Sequence, residues 1–372
     1  MKRWIACLLA ALLLAGVLGG CTGMPAFPAA GPPGIAAGEG TASSAAGTAA
    51  GEPADLGTEA PFSILFLDVG QADAMLVSCS GAHMLVDGGT SADSDVVSSV
   101  LQSRGIEVLD YVVCTHAHED HAGGLAGALN TSKAEVILAP VTEAEQAGFS
   151  AFAACADRQG VPITVPEPDQ TFRLGEAQVQ VLGPRRAYEE TNNTSLVLMV
   201  TYGETRFLLT GDMESRAEQD LVEAGCALQA DLLKIGHHGS DTSTSYRFLN
   251  EVMPDYAVIQ AGRDNDYGHP REEVLSRLRD AGAALYRTDL QGDILAESDG
   301  RAVTVTPARN AGIQTNPTEL AEGQTYYIGN LRTRKFHRPD CGSLPAERNR
   351  IWFYHRSGAV EAGYAPCGQC RP

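Results

Sequence analysis

The sequence predicts an α/β fold in which β-sheets are covered by helices. Short strand-like runs alternate with helix-like segments along most of the chain, and successive runs lie close enough in sequence to pair. The chain has 372 residues, of which 44% are hydrophobic. This length and composition suffice for one large domain with a sizeable core and for a second, smaller unit.

The first residues are typical of a bacterial export signal. Lys2 and Arg3 form a short positive region, and residues 4–17 form an apolar stretch too short to span a membrane comfortably. The sequence LGGC that ends at Cys21 resembles a lipobox, which implies cleavage before this cysteine and diacylglyceryl modification of its thiol. An ordinary signal peptide with an incidental cysteine is the alternative. We expect residues 1–21 to be a lipoprotein signal peptide, and the protein to be lipid-anchored at the outer face of the bacterial cytoplasmic membrane.

Residues 22–60 have the composition of a disordered tether. They are rich in Ala, Gly, Pro, Thr and Ser and show no hydrophobic periodicity, so they cannot bury enough apolar surface to fold. A flexible chain of this length spans roughly 35 Å. We expect a large domain to follow over residues 61–308, then a linker over 309–324 and a small terminal unit over 325–372.

Within residues 61–308, predicted strands follow one another closely enough to pair, and helix-like segments lie between them. Residues 95–104 have helical spacing, and a strand that begins at Tyr111 leads directly into a cluster of histidines. The predicted strands are 64–67, 74–78, 83–86, 111–114, 136–138, 177–182, 196–202, 206–209, 232–235 and 257–259.

The histidine cluster extends from Thr115 to His121, and five of its seven side chains can bind a metal. His116 and His118 are two residues apart, so an extended backbone points both rings to one side. The aspartate and histidine that follow can turn towards a second ion. Hydrolytic metals take imidazole nitrogens and carboxylate oxygens, and two ions about 3.5–4 Å apart can clamp the attacking and leaving oxygens. The glycine pair at 123–124 allows a close backbone approach as a helix starts.

This cluster is similar to the HxHxDH signature of the metallo-β-lactamase superfamily. The resemblance implies a four-layer αββα sandwich with its site at the sheet edges, and a centre that holds one or two divalent ions, manganese or zinc. Asp212 matches the acid that bridges two metals. Asp87 matches an acid that is usually structural and lies beside the ligands, and it is also a candidate for an additional metal or substrate contact. Matched position by position, the family's metal ligands fall at His116, His118, Asp120, His121, Asp212 and His237.

The sequence departs from this family in one respect. Many members place a further histidine ligand between the HxHxDH motif and the bridging acid, but the chain has no histidine from Ala122 to Gly211. Asn193 lies in the region where that ligand would fall. An amide oxygen is a weak ligand for zinc and a better one for harder ions such as manganese. The departure leaves open a first metal that is weakly bound, absent, or not zinc.

Several further strings are informative: DVGQADA from Asp68, NTSLVL from Asn193, LKIGHHGS from Leu233, YGHP from Tyr267 and RTD from Arg287. Together they resemble the hydrolase domain of the ComEC competence-protein family over roughly residues 62 to 305. In that family the domain accompanies a membrane channel for DNA uptake and is held to degrade one DNA strand. The resemblance implies hydrolysis of DNA or of another phosphodiester.

Five residues are candidates for roles in this chemistry beyond binding the metal. Asp120 is expected to orient the attacking water, whose pKa a metal lowers. His238 and His269 are candidates for contacting phosphate or protonating the leaving group; support of the ligands and a place in a turn are the respective alternatives. Lys234 and Ser240 are candidate phosphate contacts, and a solvated strand end is the alternative for Lys234.

The terminal unit has the spacing of a closed tetrahedral metal site. A histidine and a cysteine four residues apart precede a CxxC pair about 26 residues later. The unit is similar to the zinc-binding module of the Ada alkylation-repair protein, but that family's alkyl-accepting cysteine falls at His337, which cannot accept an alkyl group in the same way. We therefore expect a structural zinc bound by His337, Cys341, Cys367 and Cys370. A disulfide between the last two cysteines is the alternative.

The charge distribution bears on the substrate. The formal net charge of −19 repels polyanions at long range and disfavours tight, non-specific DNA binding. Basic residues enrich the terminal unit, which makes it a candidate nucleic-acid surface, although ordinary solvated charge explains them equally well. The main hypothesis is a DNA phosphodiesterase. The alternatives are a metallo-hydrolase of another ester or lactone, which the absent histidine disfavours, and a non-catalytic DNA-binding lipoprotein, which the full set of metal-binding side chains disfavours.

Overall fold

The computed structural model describes residues 60–316, 327–346, 349–353 and 356–372. The predicted signal peptide, nearly all of the predicted tether and the second half of the predicted linker lie outside these residues. The described residues form two large sheets with covering helices and a third, smaller sheet near the end of the chain.

The strands and helices are numbered in chain order. The strands are β1 (Phe62–Phe66), β2 (Ala74–Cys79), β3 (Ala82–Gly88), β4 (Val108–Val113), β5 (Lys133–Leu138), β6 (Ile163–Thr164), β7 (Thr171–Leu174), β8 (Ala177–Gly183), β9 (Val197–Tyr202), β10 (Thr205–Leu209), β11 (Leu232–Lys234), β12 (Tyr256–Ile259), β13 (Ala284–Arg287), β14 (Ile294–Ser298), β15 (Val303–Pro307), β16 (Tyr327–Asn330), β17 (Lys335–His337), β18 (Arg350–Phe353) and β19 (Ala365–Pro366). The helices are α1 (Ser94–Ser103), α2 (Glu119–Ala122), α3 (Leu125–Thr131), α4 (Ala147–Gln159), α5 (Ser215–Glu223), α6 (Tyr246–Val252), α7 (Glu272–Ala281), α8 (Thr288–Gln291) and α9 (Arg356–Glu361). Each predicted strand overlaps one of these strands, and the predicted helix overlaps α1.

The two large sheets have similar plans. The first has the strand order β15-β14-β1-β2-β3-β4-β5-β6, and the second has the order β13-β12-β11-β10-β9-β8-β7. In each sheet one half is antiparallel and the other half, β3 to β6 or β10 to β13, is parallel. Side chains at the carboxyl ends of parallel strands meet at one sheet edge, which is where ligands bind in such sheets.

Three apolar layers hold the sheets and helices together. One lies between the first sheet and α1, α3 and α4, and includes Leu109, Leu125 and Phe149. The second lies between the two sheets, where the rings of Phe62 and Phe207 have centroids 4.7 Å apart. The third packs the second sheet against α5, α6 and α7. The large domain is therefore the four-layer αββα sandwich that the sequence predicted.

Residues alternate between these layers because side chains of a strand point to opposite faces. In β1 all five residues are buried: Phe62, Ile64 and Phe66 face the layer between the sheets, and Leu65 faces the helices. A strand buried on both faces has a nearly continuous apolar sequence. The run was therefore recognisable in the sequence.

The terminal module has its own sheet, in the order β18-β16-β17-β19, and a small core that includes Tyr327, Phe336 and Tyr364. The first half of the predicted linker lies against the large domain, where Thr315 Oγ1 donates a hydrogen bond of 2.5 Å to the carbonyl oxygen of Leu285. Among the helices described here, none has the length and hydropathy needed to cross a bilayer.

Candidate metal centre

The loop that carries the histidine cluster is fixed by backbone contacts at both ends. The amide of Asp73 donates to the carbonyl oxygen of Asp120 at 3.0 Å, and the amide of Gly124 donates to Gly89 at 3.0 Å. A Cβ atom on Gly124 would overlap the carbonyl oxygen of Gly88. This is the close approach that the glycine pair predicted, and it brings the loop after β4 against the end of β3.

Four side chains from three segments of the chain form the centre of the site. Asp120, His121, Asp212 and His238 each place one ligand atom within 4.8 Å of the others. The Nε2 atom of His121 lies 3.3 Å from Asp212 Oδ1, and the Nε2 atom of His238 lies 3.2 Å from Asp120 Oδ2 and 3.6 Å from Asp212 Oδ2. Two ligands that each lie 2.0–2.2 Å from one ion are about 3.4 Å apart at a tetrahedral angle. The spacing therefore fits a divalent metal.

Unsatisfied polar atoms support the same interpretation. His121 Nε2 and Asp212 Oδ1 are buried and have no hydrogen-bond partner among the described residues. Buried polar atoms almost always have a partner, so orphaned atoms in a native site need an explanation. A metal ion between these two atoms would satisfy both. The donor set of imidazoles and carboxylates suits manganese or zinc.

Asp212 lies between this cluster and a second pair of histidines. The Nε2 atom of His116 lies 3.0 Å from His118 Nδ1 and 3.9 Å from Asp212 Oδ2. Asp212 thus presents Oδ1 to His121, and Oδ2 to both His116 and His238. A carboxylate placed between two groups of histidines is suited to bridging two ions, which is the role that the family resemblance implies for Asp212.

Asp87 is buried beside His121 and supports its ring. Its side chain is fully buried, and Oδ2 lies 2.8 Å from Nδ1 of His121. The amide and hydroxyl of Thr115 both donate to its carboxylate at 2.7 Å. A carboxylate on the outer ring nitrogen fixes a histidine's orientation and tautomer, which leaves Nε2 of His121 free for a metal. The expected structural role agrees with this geometry. Asp87 also lies with Asp73 and His121 in a buried group whose ligand atoms are within 4.8 Å of one another, so the predicted metal contact stays a prediction.

His238 is held in the same way from the other side of the centre. Its Nδ1 atom lies 3.0 Å from the carbonyl oxygen of Gln260 and 3.3 Å from Asp73 Oδ1. Asp73 in turn forms an ion pair with Lys234, whose Nζ atom lies 2.8 Å from Asp73 Oδ2, and both residues are fully buried. The predicted phosphate contact at Lys234 is therefore wrong, because its ammonium group is enclosed beneath the site. His238, expected to contact phosphate, lies among the ligand atoms.

His237 lies at the rim of the site. Its side chain is 24% exposed, Nε2 lies 3.9 Å from Asp212 Oδ2, and Nδ1 lies 3.5 Å from Glu214 Oε1. His238, by contrast, is 2% exposed. The motif match assigns the last ligand position to His237, but the cluster around Asp212 and His121 contains His238 instead. The assignment of the final ligand within the His-His pair therefore shifts by one residue.

Two asparagines lie in the region of the absent histidine, and their side-chain oxygens differ in hydrogen bonding. The Oδ1 atom of Asn193, the predicted candidate, accepts a hydrogen bond of 3.2 Å from the amide of Glu214. The Oδ1 atom of Asn192 is buried without a partner among the described residues, and its Nδ2 atom lies 3.5 Å from the His237 ring. The available amide oxygen thus belongs to Asn192. Ser240 is buried with its hydroxyl 3.0 Å from Thr242 Oγ1, and it makes none of the described contacts with the cluster.

Burial and neighbouring charges shift the pKa values of several histidines of the site. Burial disfavours the charged form of His238, but the carboxylates of Asp212 and Asp73 outweigh burial and raise its pKa to about 10. Burial also opposes the charged form of His121, and Asp212 and Asp87 still hold its pKa well above the ordinary value. At His269, burial and the neighbouring His237 outweigh the carboxylate of Asp212 and lower the pKa to about 4. Its ring is therefore neutral near pH 7.

A second candidate metal site lies in the terminal module. His337, Cys341, Cys367 and Cys370 each place a ligand atom within 4.8 Å of the others. His337 Nδ1 lies 3.4 Å from Cys341 Sγ, and its Nε2 atom is buried without a hydrogen-bond partner in the described part of the chain. All three cysteines are free thiols, so the alternative disulfide does not form here. Three thiolates and one imidazole suit a structural zinc site.

Comparison with known families agrees with both sites. A model of the metallo-β-lactamase superfamily matches residues 67–263, which is more than half of the chain. The chain belongs to the metallo-β-lactamase superfamily. A second model, the metal-binding domain of Ada, matches residues 314–372. The superfamily match includes the histidine cluster, Asp212 and both histidines of the His-His pair.

Several bacterial proteins are similar to this metallo-β-lactamase superfamily member. ComE operon protein 3 of Bacillus subtilis is 32% identical over 247 residues, which is 61% of this chain and 32% of that protein. Competence protein ComA of Neisseria gonorrhoeae is 34% identical over 229 residues, or 60% of this chain and 30% of that protein. Recombination protein 2 of Haemophilus influenzae is 31% identical over 235 residues, or 61% and 28% respectively. The chain thus spans about a third of the length of these relatives.

Proposed function

We propose that this metallo-β-lactamase superfamily protein is a metal-dependent phosphodiesterase that cleaves DNA outside the cytoplasm. The observation that carries the proposal is the cluster of Asp120, His121, Asp212 and His238 around one ion-sized space. Relatives named for competence and for recombination support DNA as the substrate class. The ComEC-like strings support the same substrate.

The residues around the metal centre would have separate roles in the proposed reaction. A divalent ion, when bound, supplies Lewis-acid chemistry for a phosphoryl oxygen and activates water. Asp120 is 32% exposed, so its carboxylate faces both the cluster and solvent and can orient that water. Asp87 and Asp73 hold His121 and His238 by their outer nitrogens. His269 remains a candidate catalytic residue; as a neutral ring it would contact phosphate or leaving group through a hydrogen bond.

Manganese is the ion that we favour over zinc in the hydrolase site. The region of the absent histidine offers the orphaned amide oxygen of Asn192, and oxygen ligands suit harder ions. We further propose that the protein is anchored through a lipid on Cys21, which would confine cleavage to the outer face of the cytoplasmic membrane.

DNA cleavage by the purified protein tests the function. The protein would be stripped of metal, refilled with manganese, magnesium or zinc, and given single- and double-stranded DNA, with Asp120→Asn as control. We expect manganese-dependent cleavage that Asp120→Asn abolishes. A folded, metal-loaded protein that cleaves neither form of DNA with any of these metals would overturn the nuclease and favour another ester or a lactone as substrate, or DNA binding without catalysis.

A further inference from the structure

Three aromatic rings lead from the metal centre to the surface. His237 lies beside Asp212 at the rim, and its ring centroid is 5.6 Å from that of His269 in an edge-on arrangement. The ring of Tyr267 stacks on His269, with centroids 5.7 Å apart and an interplanar angle of 26°. Tyr267 is 63% exposed and is the one exposed aromatic side chain among the described tyrosines and phenylalanines.

The loop that presents Tyr267 is firmly held. Asn265 spans it: Nδ2 donates to the carbonyl oxygens of Gly262 and His269 at 2.8 and 2.6 Å, and Oδ1 accepts from the amide of His269 at 3.0 Å. Gln71, from the loop after β1, accepts from the amide of Gly262 at 3.0 Å and lies 3.4 Å from the His269 ring. The exposed ring is therefore displayed by a fixed loop.

We propose that Tyr267 is a stacking platform for an unpaired nucleobase of a single-stranded nucleic acid whose phosphodiester lies at the metal centre. This inference rests on the proposed function and specifies its substrate. Two ring contacts separate Tyr267 from His237, so the stacked base belongs to a nucleotide close to the cleaved bond. A base can cover the face of an aromatic side chain only when it is unpaired.

The charge of the molecule favours this mode of recognition over a basic groove. The loop carries Arg263, Asp264, Asp266 and Arg271, two positive and two negative side chains around Tyr267. The whole chain has a net charge of −19. Stacking on an uncharged ring contributes affinity that needs no positive surface, and every base has a face that can stack.

The test compares strands that carry a base with strands that lack one. Initial rates would be measured on single-stranded DNA and on the same strand with one abasic position moved stepwise along it, with manganese-loaded wild type, Tyr267→Ala and Tyr267→Phe. We expect Tyr267→Ala to raise KM for the normal strand about 5- to 150-fold, with kcat largely kept. Tyr267→Phe keeps the ring face and should stay near wild type. One abasic position should raise the KM of the wild type by a similar factor and should change the KM of Tyr267→Ala little.

Controls separate this role from damage to the site and from failure of the nuclease proposal. Met253→Ala is the matched control, because it removes a side chain that is 61% exposed but lies before β12, whereas Tyr267 lies in the loop after β12. This variant should leave the cleavage rates unchanged. Hydrolysis of bis(4-nitrophenyl) phosphate reports on the metal centre alone, and Tyr267→Ala should retain it. The inference is overturned if Tyr267→Ala cleaves the normal strand like wild type, or loses the small diester equally.

Binding of a phosphorothioate oligonucleotide, followed by fluorescence anisotropy, keeps the inference testable without cleavage. A wild type that cleaves no DNA but binds this strand, with weaker binding by Tyr267→Ala, would refute the nuclease and support the platform. Equal binding by both proteins would refute the platform.

Discussion

The neighbouring residues His237 and His238 have opposite surroundings because of their backbone conformation. Their φ angles are +49° and +52°, a left-handed conformation that residues other than glycine seldom adopt. Such strain costs on the order of 1–3 kcal/mol per residue and is typical of functional sites. The turn sends His238 inwards towards Asp212 and leaves His237 at the rim. The two rings are thereby kept 6.2 Å apart at their centroids.

Alanine substitution of each histidine separates their roles. His238→Ala removes a ring nitrogen that lies within 3.6 Å of both Asp120 and Asp212. We expect manganese affinity to fall more than about 100-fold, beyond the range known for outer partners of metal ligands. His237→Ala should lower the manganese affinity by less than about tenfold. Isothermal titration of the metal-free proteins measures both, and an equal loss, or a larger loss for His237→Ala, would contradict the assignment.

Metal binding should depend on pH with a definite sign. The carboxylates around His238 raise its pKa to about 10 in the metal-free site, and His121 is shifted in the same direction. A metal binds the neutral ring, so it must displace the proton of His238 at every pH below about 10. Manganese affinity should rise by about tenfold per pH unit for each proton displaced, between pH 6 and pH 9.

Proton release can be measured by calorimetry in buffers with different ionisation enthalpies. His269 is the matched control because its pKa of about 4 makes it neutral throughout this range. His269→Gln should therefore leave the pH slope unchanged. A flat slope in the wild type would show that the site is already deprotonated and would contradict the raised pKa values.

At the scale of elements, a buried ion pair joins the two sheets beneath the metal centre. Lys234 ends β11 in the second sheet, and Asp73 lies in the loop between β1 and β2 of the first. Burial opposes the charge of Asp73, but Lys234 and His238 together hold its pKa below the ordinary value. The pair therefore links the position of His238 to the packing of both sheets.

Breaking this pair should destabilise the protein more than breaking an exposed pair. Lys234→Met leaves a charged carboxylate buried without its partner, which costs about 3–5 kcal/mol of unfolding free energy. The double variant with Asp73→Leu should be more stable than Lys234→Met alone, because neither charge of this pair is left buried without the other. Arg309→Met, which breaks a partly exposed pair with Asp68, should cost less than about 1 kcal/mol. Urea denaturation of the metal-free proteins measures all three, and equal losses for Lys234→Met and Arg309→Met would contradict the account.

The sequence predicted those features that depend on local pattern. Strands such as β1 were recognisable because they are continuous apolar runs, and the ligands from His116 to His121 were recognisable because they are contiguous. The inward turn of His238 was not predictable, because it depends on two left-handed residues that no side-chain pattern requires. The burial of Lys234 was equally hidden, since its partner Asp73 lies far away in sequence. The pairing of β14 with β1 was also not predictable, because the two strands lie at opposite ends of the domain in sequence.

At the scale of the whole molecule, the membrane anchor stays a prediction from residues outside the described structure. If Cys21 carries a diacylglyceryl group, the protein expressed in bacteria should partition into the detergent phase of Triton X-114 and carry the lipid mass at its N-terminus. Cys21→Ser should move it to the aqueous phase. Equal partitioning of both proteins would indicate an ordinary signal peptide instead.

The terminal module has a small apolar core and is fastened to the large domain. Its buried apolar core contains Tyr327, Phe336, Ala359 and Tyr364, which is small for a unit that must fold without help. Arg356 is 8% exposed and ion-paired with Asp280 of α7, and its Nη2 atom donates to the hydroxyl of Tyr246 at 3.0 Å. A zinc ion would supply the folding free energy that the small core lacks.

Cys370→Ser should therefore remove one zinc per chain and release the module, while the hydrolase site keeps its metal. Withdrawal of Arg356 leaves the buried carboxylate of Asp280 without its cation, so we also expect the large domain to lose a few degrees of thermal stability. Metal analysis, limited proteolysis of residues 327–372 and thermal unfolding measure the three effects. Cys226→Ser, at a half-buried thiol outside the zinc cluster, is the matched control and should change none of them. A Cys370→Ser protein that keeps its full zinc content and an intact module would show that the module folds on its small core alone.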